Sequence, residues 1–314
     1  MLFKKPLFWD LKKPNLISYL LSPFTLPIIL NNFFLRFKSK IKSKEIKTIC
    51  VGNIYLGGTG KTPTTITIYE TLKEMNFRVS TAKKFYPSQT DEQALLQIKT
   101  RFITSNNRMN IINKAIQDKQ EIIIFDDGLQ DRNVSYDLEC VCFDSTNFIG
   151  NGCLIPSGPL REKLKSLNKY DVVLIKNENE NIEYQSNTIK KYNPNIEIFE
   201  TNLNIANLDK FNLNHNFLIF SGIGSPTNFK KLLKNNKFKI IKEIIFPDHY
   251  AYKKIEVEKI IRQAKDIGAK IITTEKDFVK IKKFDLGNIN YVDLRLIIKE
   301  KEKFKKLLKK KLYE

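Results

Sequence analysis

Apolar residues in this chain fall in short runs, each closed by a polar or glycine turn and followed by a longer amphipathic stretch. The runs lie at 49–51, 77–82, 122–125, 141–144, 170–176, 196–200, 216–220, 240–246, 270–273 and 289–298. They are rich in Ile, Val and Phe, and their length predicts buried strands. Helical stretches are predicted at 63–75, from Asp91–Glu92 onward, at 227–233 and 254–267, and in a lysine-rich segment that closes the chain. Strand alternating with helix predicts parallel sheets covered by helices on both faces. The alternation is interrupted by a polar, Asn-rich stretch at 177–210, so the chain reads as two α/β units.

The most informative turn follows the first strand, in TICVGNIYLGGTGKTP (48–63). Gly57, Gly58 and Gly60 allow a tight turn, and Lys61-Thr62-Pro63 open a helix after Thr59. A glycine turn leading straight into Lys-Thr is how a nucleotide polyphosphate is held. Backbone N–H groups and the helix N-terminus face the anion, lysine reaches the β- and γ-phosphates, and the threonine hydroxyl serves Mg²⁺. The full pattern has glycine at position 55, where this chain has Tyr55.

Further along, EIIIFDDGLQ (121–130) places Asp126 and Asp127 after an apolar run, as a phosphate loop's acidic Mg²⁺ partner requires. Asp91 and Glu92 fit either an ordinary acidic helix start or carboxylates at a strand's carboxyl end, where ligands of open α/β sheets bind. In the rigid loop GNGCLIPSGPLREKL (150–164), Arg161 and Glu162 fit either a phosphate-binding arginine or a surface ion pair. In the second unit, SGIGSP (221–226), PDHYAY (247–252) and TEKD (274–277) are read as loops at strand ends, and His249 is one of only two histidines.

Composition adds a charge of +20, which favours polyanionic or membrane partners, partly through a general bias to lysine. The four cysteines form no C-x-x-C pair, which suits buried thiols in a reducing compartment. Residues 16–35 carry no charge and lie between basic clusters (Lys4, Lys5, Lys12, Lys13; Arg36, Lys38, Lys40) near Trp9. That suits a helix lying in a membrane interface; a helix packed on the protein's own core and a transmembrane span are the alternatives. A switch-type phosphate-loop GTPase is disfavoured, since no Asn-Lys-x-Asp motif is present and TEKD fits it only in part. A nucleic-acid-binding module is disfavoured too: the charge is spread along the chain and no such signature appears.

In order, VGNIYLGGTGKTP, TDE, DDGLQDR, GNGCLIPSGPLRE, SGIGSP, FPDHYAY and TTEKDFVKI resemble the bacterial lipid A 4'-kinases (tetraacyldisaccharide 4'-kinases) over nearly the whole chain. The resemblance implies two α/β/α sandwich domains, the first with a P-loop NTPase-type parallel sheet, joined by a two-stranded linker. The implied ranges are a membrane-interface segment at 1–40 and a kinase domain at 41–205, to which a helix at 299–314 returns. A second α/β domain follows at 212–290, with linker strands at 206–211 and 291–298. The implied reaction moves the γ-phosphate of ATP to the 4'-hydroxyl of a tetraacyl glucosamine disaccharide 1-phosphate, with Mg²⁺. The implied place is the cytoplasmic face of the Gram-negative inner membrane, with anionic lipid and the acylated disaccharide as partners, no nucleic acid, and a monomer.

The resemblance makes Asp91 the base and His249 its partner, with domain closure expected to bring the two together. Lys61 and Asp127 complete the catalytic set. Residues 57–63 bind nucleotide, Thr62, Asp126 and Asp127 serve the metal, and Asn53, Arg161 and Glu162 contact substrate. The chain departs from the family where Arg-Gly-Tyr-Gly is common (here Lys83-Lys84-Phe85-Tyr86), at Gln93 where proline is usual, and at Asp131 where histidine is usual.

Overall fold

A computed structural model describes residues 5–35, 37, 40–86, 90–131, 133–177 and 181–314. Lys4, Arg36 and Lys38 of the basic flanks, and Arg132 of DDGLQDR, lie outside the described residues. The chain forms two compact bodies, one of 5–85, 100–202 and 296–314, the other of 86–99 and 203–295.

The first body opens with α1 (Leu16–Leu21) and α2 (Leu26–Phe34), joined by one 3₁₀ turn at Ser22–Thr25 where Pro23 enters. There follow β1 (Lys47–Gly52), α3 (Lys61–Glu74) and β2 (Val79–Lys84). The chain then leaves as α4 (Thr90–Lys99), which belongs to the second body. It returns as β3 (Phe102–Ser105), α5 (Arg108–Gln117), β4 (Ile122–Asp126), β5 (Leu138–Asp144), β6 (Val172–Lys176), α6 (Glu183–Lys190) and β7 (Glu197–Ile205). The second body continues with β8 (Asn216–Ser221), α7 (Pro226–Asn235), β9 (Lys239–Ile245), α8 (Lys254–Asp266), β10 (Lys270–Thr274), α9 (Glu275–Ile281) and β11 (Ile289–Val292). Finally β12 (Leu294–Ile298) and α10 (Lys301–Tyr313) lead back to the first.

Eight strands form the first sheet in the order β12-β7-β6-β5-β1-β4-β2-β3, and β1 pairs in parallel with both β4 and β5. Its central strands are apolar without alternation, because helices cover both faces: Ile122 to Phe125 are wholly buried. Helix α3 is rich in threonine, a modest helix former, so packing rather than propensity holds it. The second sheet is all-parallel, in the order β11-β10-β8-β9, with separate apolar clusters on its two faces. Mixed α/β architecture with parallel sheets is therefore what the chain adopts.

Several details differ from the sequence reading. Strand β3 and helix α5 carry weak apolar patterns and were not anticipated. TEKD is not a loop but the first turn of α9, where Thr274 caps the helix by accepting from the Asp277 N–H at 3.1 Å. Residues 206–211 are a turn and a 3₁₀ segment rather than a linker strand, while β7 runs on to Ile205. The 289–298 run breaks at Asp293, whose N–H donates to Asn207 Oδ1. Helix α4, which lies within the expected kinase range of 41–205, belongs to the second body, where it packs on α9.

Helix α10 joins the first body through buried Phe304, Leu308 and Leu312, with Phe304 edge-on to Phe199 at 5.1 Å. Phe304→Ala should lower the unfolding free energy by about 3–5 kcal/mol, read from denaturant melts.

Candidate functional site

The first body's phosphate loop joins β1 to α3. Gly60 caps α3 at φ 85°, a left-handed conformation that strains any side-chain-bearing residue. Tyr55 stands where the full pattern has glycine because it closes the loop from beneath. Its ring packs with Leu154 and Leu160, and its hydroxyl donates to Asp10. Asn53 is fully buried and donates to the Gly57 carbonyl (3.2 Å) and the Thr59 hydroxyl (2.9 Å). It braces the loop from inside, where its side chain has no exposed surface.

Below the loop, Thr62 donates to Asp126 Oδ2 at 2.9 Å and Thr65 to Oδ1 at 3.3 Å. Lys83, also fully buried, donates to Asp126 Oδ2 at 2.9 Å. Register explains this contact: Ala82 pairs with Phe125, so the next residues on β2 and β4 lie side by side. Asp127 is turned the other way at φ 58° and meets Lys61 Nζ at 3.8 Å and Arg161 Nη1 at 3.4 Å. A positive φ outside glycine is uncommon, and here it separates the two neighbouring carboxylates into an inward and an outward one.

The turn is held from behind by buried Arg108. Its guanidinium donates to the Asp127 carbonyl (3.2 Å), to Asp131 (2.9 Å) and to the Tyr136 hydroxyl (2.5 Å). Asp131, where the family usually has histidine, is thus the counter-ion of Arg108. Arg161 and Glu162 are no surface pair. Arg161 donates to Gln130 at 3.1 Å, and buried Glu162 accepts from Tyr170 at 3.0 Å and Gln130 at 3.3 Å.

On the second body, Asp91 in the first turn of α4 is buried, and His249 Nδ1 lies 2.9 and 3.0 Å from its two oxygens. The two residues belong to one body, so no closure is needed to bring them together. His249 sits at φ 58°, its N–H donating to Asp248 at 3.0 Å. Burial raises the Asp91 pKa, but the His249 hydrogen bond and the charges of Lys276 and Lys280 outweigh it and hold the carboxyl well below the usual range. An ionised Asp91 places the shared proton on Nδ1.

SGIG, PDHYAY and the start of α9 meet at the same strand ends. Gly222 donates to Asp277 at 2.9 Å, and a Cβ there would lie 2.9 Å from the Tyr252 hydroxyl. Arg108, Lys276 and Lys280 carry no mark of their own in the sequence, and Lys83 stands out there only as a departure from the family's Arg-Gly-Tyr-Gly. The i, i+4 spacing of Lys276 and Lys280 after a capping threonine was the available signal, since it sets both on one helix face.

The N-terminal segment is tied to the first body by Trp9 Nε1 on the Pro156 carbonyl (3.0 Å) and Asn32 on the Arg161 carbonyl (3.1 Å). Its outer face exposes Leu16, Leu20, Phe24 and Phe34, and only 11% of the 16–34 stretch is buried, which excludes a core helix.

A strand, a glycine turn, a Lys-Thr helix start and a strand-end aspartate pair make this a phosphate-loop nucleotide-binding protein of mixed α/β fold. The profile of the family described as LpxK, tetraacyldisaccharide-1-P 4'-kinase, matches residues 20–313. The chain belongs to that family. It is 46% identical over 312 residues to the tetraacyldisaccharide 4'-kinase of Pelagibacter ubique (98% of each chain) and 33% identical over 316 residues to that of Rickettsia canadensis (93% of each). Its fold is similar to the crystal structure of LpxK from Aquifex aeolicus in complex with ATP, with TM-score 0.71 at 23% identity, over 95% of this chain and all of the other.

Lys83→Met should destabilise the first body by about 3–5 kcal/mol in denaturant melts, because it leaves the Asp126 carboxylate buried without its cation.

Proposed function

We propose that this chain transfers the γ-phosphate of ATP to the 4'-hydroxyl of an acylated glucosamine disaccharide 1-phosphate, in the making of lipid A. The observation that carries the reading is one chain holding both a Lys61–Thr62–Asp126 phosphate-loop centre and a buried, ionised Asp91 bonded to His249, within this family.

Phosphoryl transfer depends mainly on positioning and charge neutralisation. Lys61 and the loop amides hold the β- and γ-phosphates. The oxygen donors that meet at Thr62 and Asp126, with outward-turned Asp127 beside them, suit a hard cation such as Mg²⁺. Among the described residues no group of three or more His, Cys, Asp or Glu could hold a metal alone, so these residues would hold it together with the nucleotide. When bound, the ion neutralises phosphate charge. Arg161 stands beside Asp127 as a further cation for transferred or substrate phosphate. The sugar oxygen forms its bond to phosphorus as the bond to the ADP oxygen breaks, and the hydroxyl proton passes to Asp91.

The exposed apolar face at 16–34, with the basic residues flanking it, supports docking at an anionic membrane surface on the cytoplasmic side of the Gram-negative inner membrane. We take the working unit to be the monomer.

The test is transfer from γ-labelled ATP to a tetraacyl disaccharide 1-phosphate in detergent micelles. Wild type should yield labelled lipid. Asp91→Ala should lose on the order of 10²–10⁴-fold in turnover with nucleotide affinity kept, whereas Lys61→Ala should lose both. ATP hydrolysis without labelled lipid would overturn the reading.

A further inference from the structure

Beyond the histidine, two ammonium groups face Asp91. Lys276 Nζ and Lys280 Nζ lie 3.5 and 3.6 Å from Asp91 Oδ2. They rise from consecutive turns of α9, and Thr274, which caps that helix, sets the rotation that brings both to bear. Each lysine is also fastened elsewhere. Lys276 reaches Glu92 at 3.4 Å and Asp248 at 3.6 Å, joining α4, α9 and the loop that carries His249. Lys280 lies 2.7 Å from Asp277, a wholly buried carboxylate, and 5.2 Å from the centre of the Tyr252 ring.

The two oxygens of Asp91 are used differently. Oδ1 accepts the Glu92 N–H at 2.9 Å and the closer approach of His249. Among the described residues, Oδ2 shares the imidazole N–H at 3.0 Å and otherwise meets the two ammonium groups, at the limit of hydrogen-bond reach. At that range a cation contributes charge without closing a short bond onto the lone pair. A general base needs this combination, because a buried carboxyl left alone takes up a proton, and a carboxylate saturated by donors has no lone pair for the substrate.

We propose that Lys276 and Lys280 are positioning residues for the phosphoryl transfer, a pair of charges that keeps buried Asp91 ionised without closing short hydrogen bonds onto Oδ2. The groups facing Asp91 are Glu92 on its own helix, Asp248 and His249 on the loop after β9, Tyr252 beyond it, and Lys276, Asp277 and Lys280 on α9. The activity part of the test rests on the kinase reading; the spectroscopic part does not.

A carboxyl held low stays charged until the pH falls through its depressed pKa, so removing a neighbouring cation moves that point upward. In Lys276→Met and Lys280→Met, the acid limb of kcat/KM should move up by about one pH unit. The variants should therefore lose activity at a higher pH than wild type on the acid side, and stay within a few-fold of it at pH values well above that limb. Lys276→Arg should restore the wild-type limb. A purely structural role would instead lower activity equally at every pH, and that result overturns the proposal.

The second readout needs no turnover. The low-field proton resonance of the His249 Nδ1–H···Asp91 bond should vanish, on acidification, at a higher pH in the methionine variants than in wild type. Loss at the same pH in all three proteins also overturns the proposal. Lys276→Met is the primary variant, since Lys280→Met strips buried Asp277 of its cation. Unchanged affinity for an ATP analogue, together with an unchanged circular dichroism melt, identifies a folded variant. A wild type that transfers no phosphate, while the variants still lose the resonance at a higher pH than it does, would refute the kinase reading alone.

Discussion

A carboxylate withdrawn from water must be matched by positive charge and hydrogen bonds, or it takes a proton and ceases to be useful. This constraint organises both bodies. In the first, Asp126 is wholly enclosed and answered by Lys83 and two threonine hydroxyls. In the second, Asp91 is enclosed and answered by an imidazole and two lysines. The excess of lysine that colours the whole composition thus includes a few ammonium groups set on particular oxygens. Lys83 is buried on its strand and Lys276 and Lys280 are largely covered on α9, far from the solvated role that lysine usually plays.

The parallel sheets explain why the polar groups gather as they do. Every strand of a parallel sheet ends its run on the same edge, and the loops leaving that edge are free to carry chemistry while the strands stay apolar. Asp126 is the last residue of β4, the phosphate loop follows β1, and Lys83 stands near the end of β2. In the second sheet, SGIG follows β8, PDHYAY follows β9 and α9 follows β10. The three buried cysteines of the first sheet belong to the apolar interior of these strands. Burial pushes the Cys142 thiol up to about 12, so it is unreactive near neutral pH.

Much of this was legible in the residues. GGTGKT after an apolar run and DDG after another announce themselves, because a glycine turn and paired acids at strand ends have few other uses. What the sequence hid were partnerships across long separations. Lys83, just past the 77–82 run, reads as the start of a polar turn until the register of β2 on β4 places it against Asp126, 43 residues away. Asp131 reads as a departure until Arg108 is seen to need it. Asn53 looked available to substrate, but a strand end followed by a tight loop folds back over it. TEKD looked like a loop because its residues are polar, and only the capping geometry of Thr274 shows it to be a helix start. Each miss is a case where tertiary contact, rather than local propensity, decided the outcome.

The excursion of α4 out of the first sheet has a mechanical consequence. Between β2 and β3 the chain crosses to the other body, turns through one short helix and comes straight back. Asp91 rides on that helix, so it moves as one piece with His249 and the two lysines. Bending or twisting between the bodies cannot pull Asp91 from these partners. The entropy of assembling these side chains is spent once, at folding.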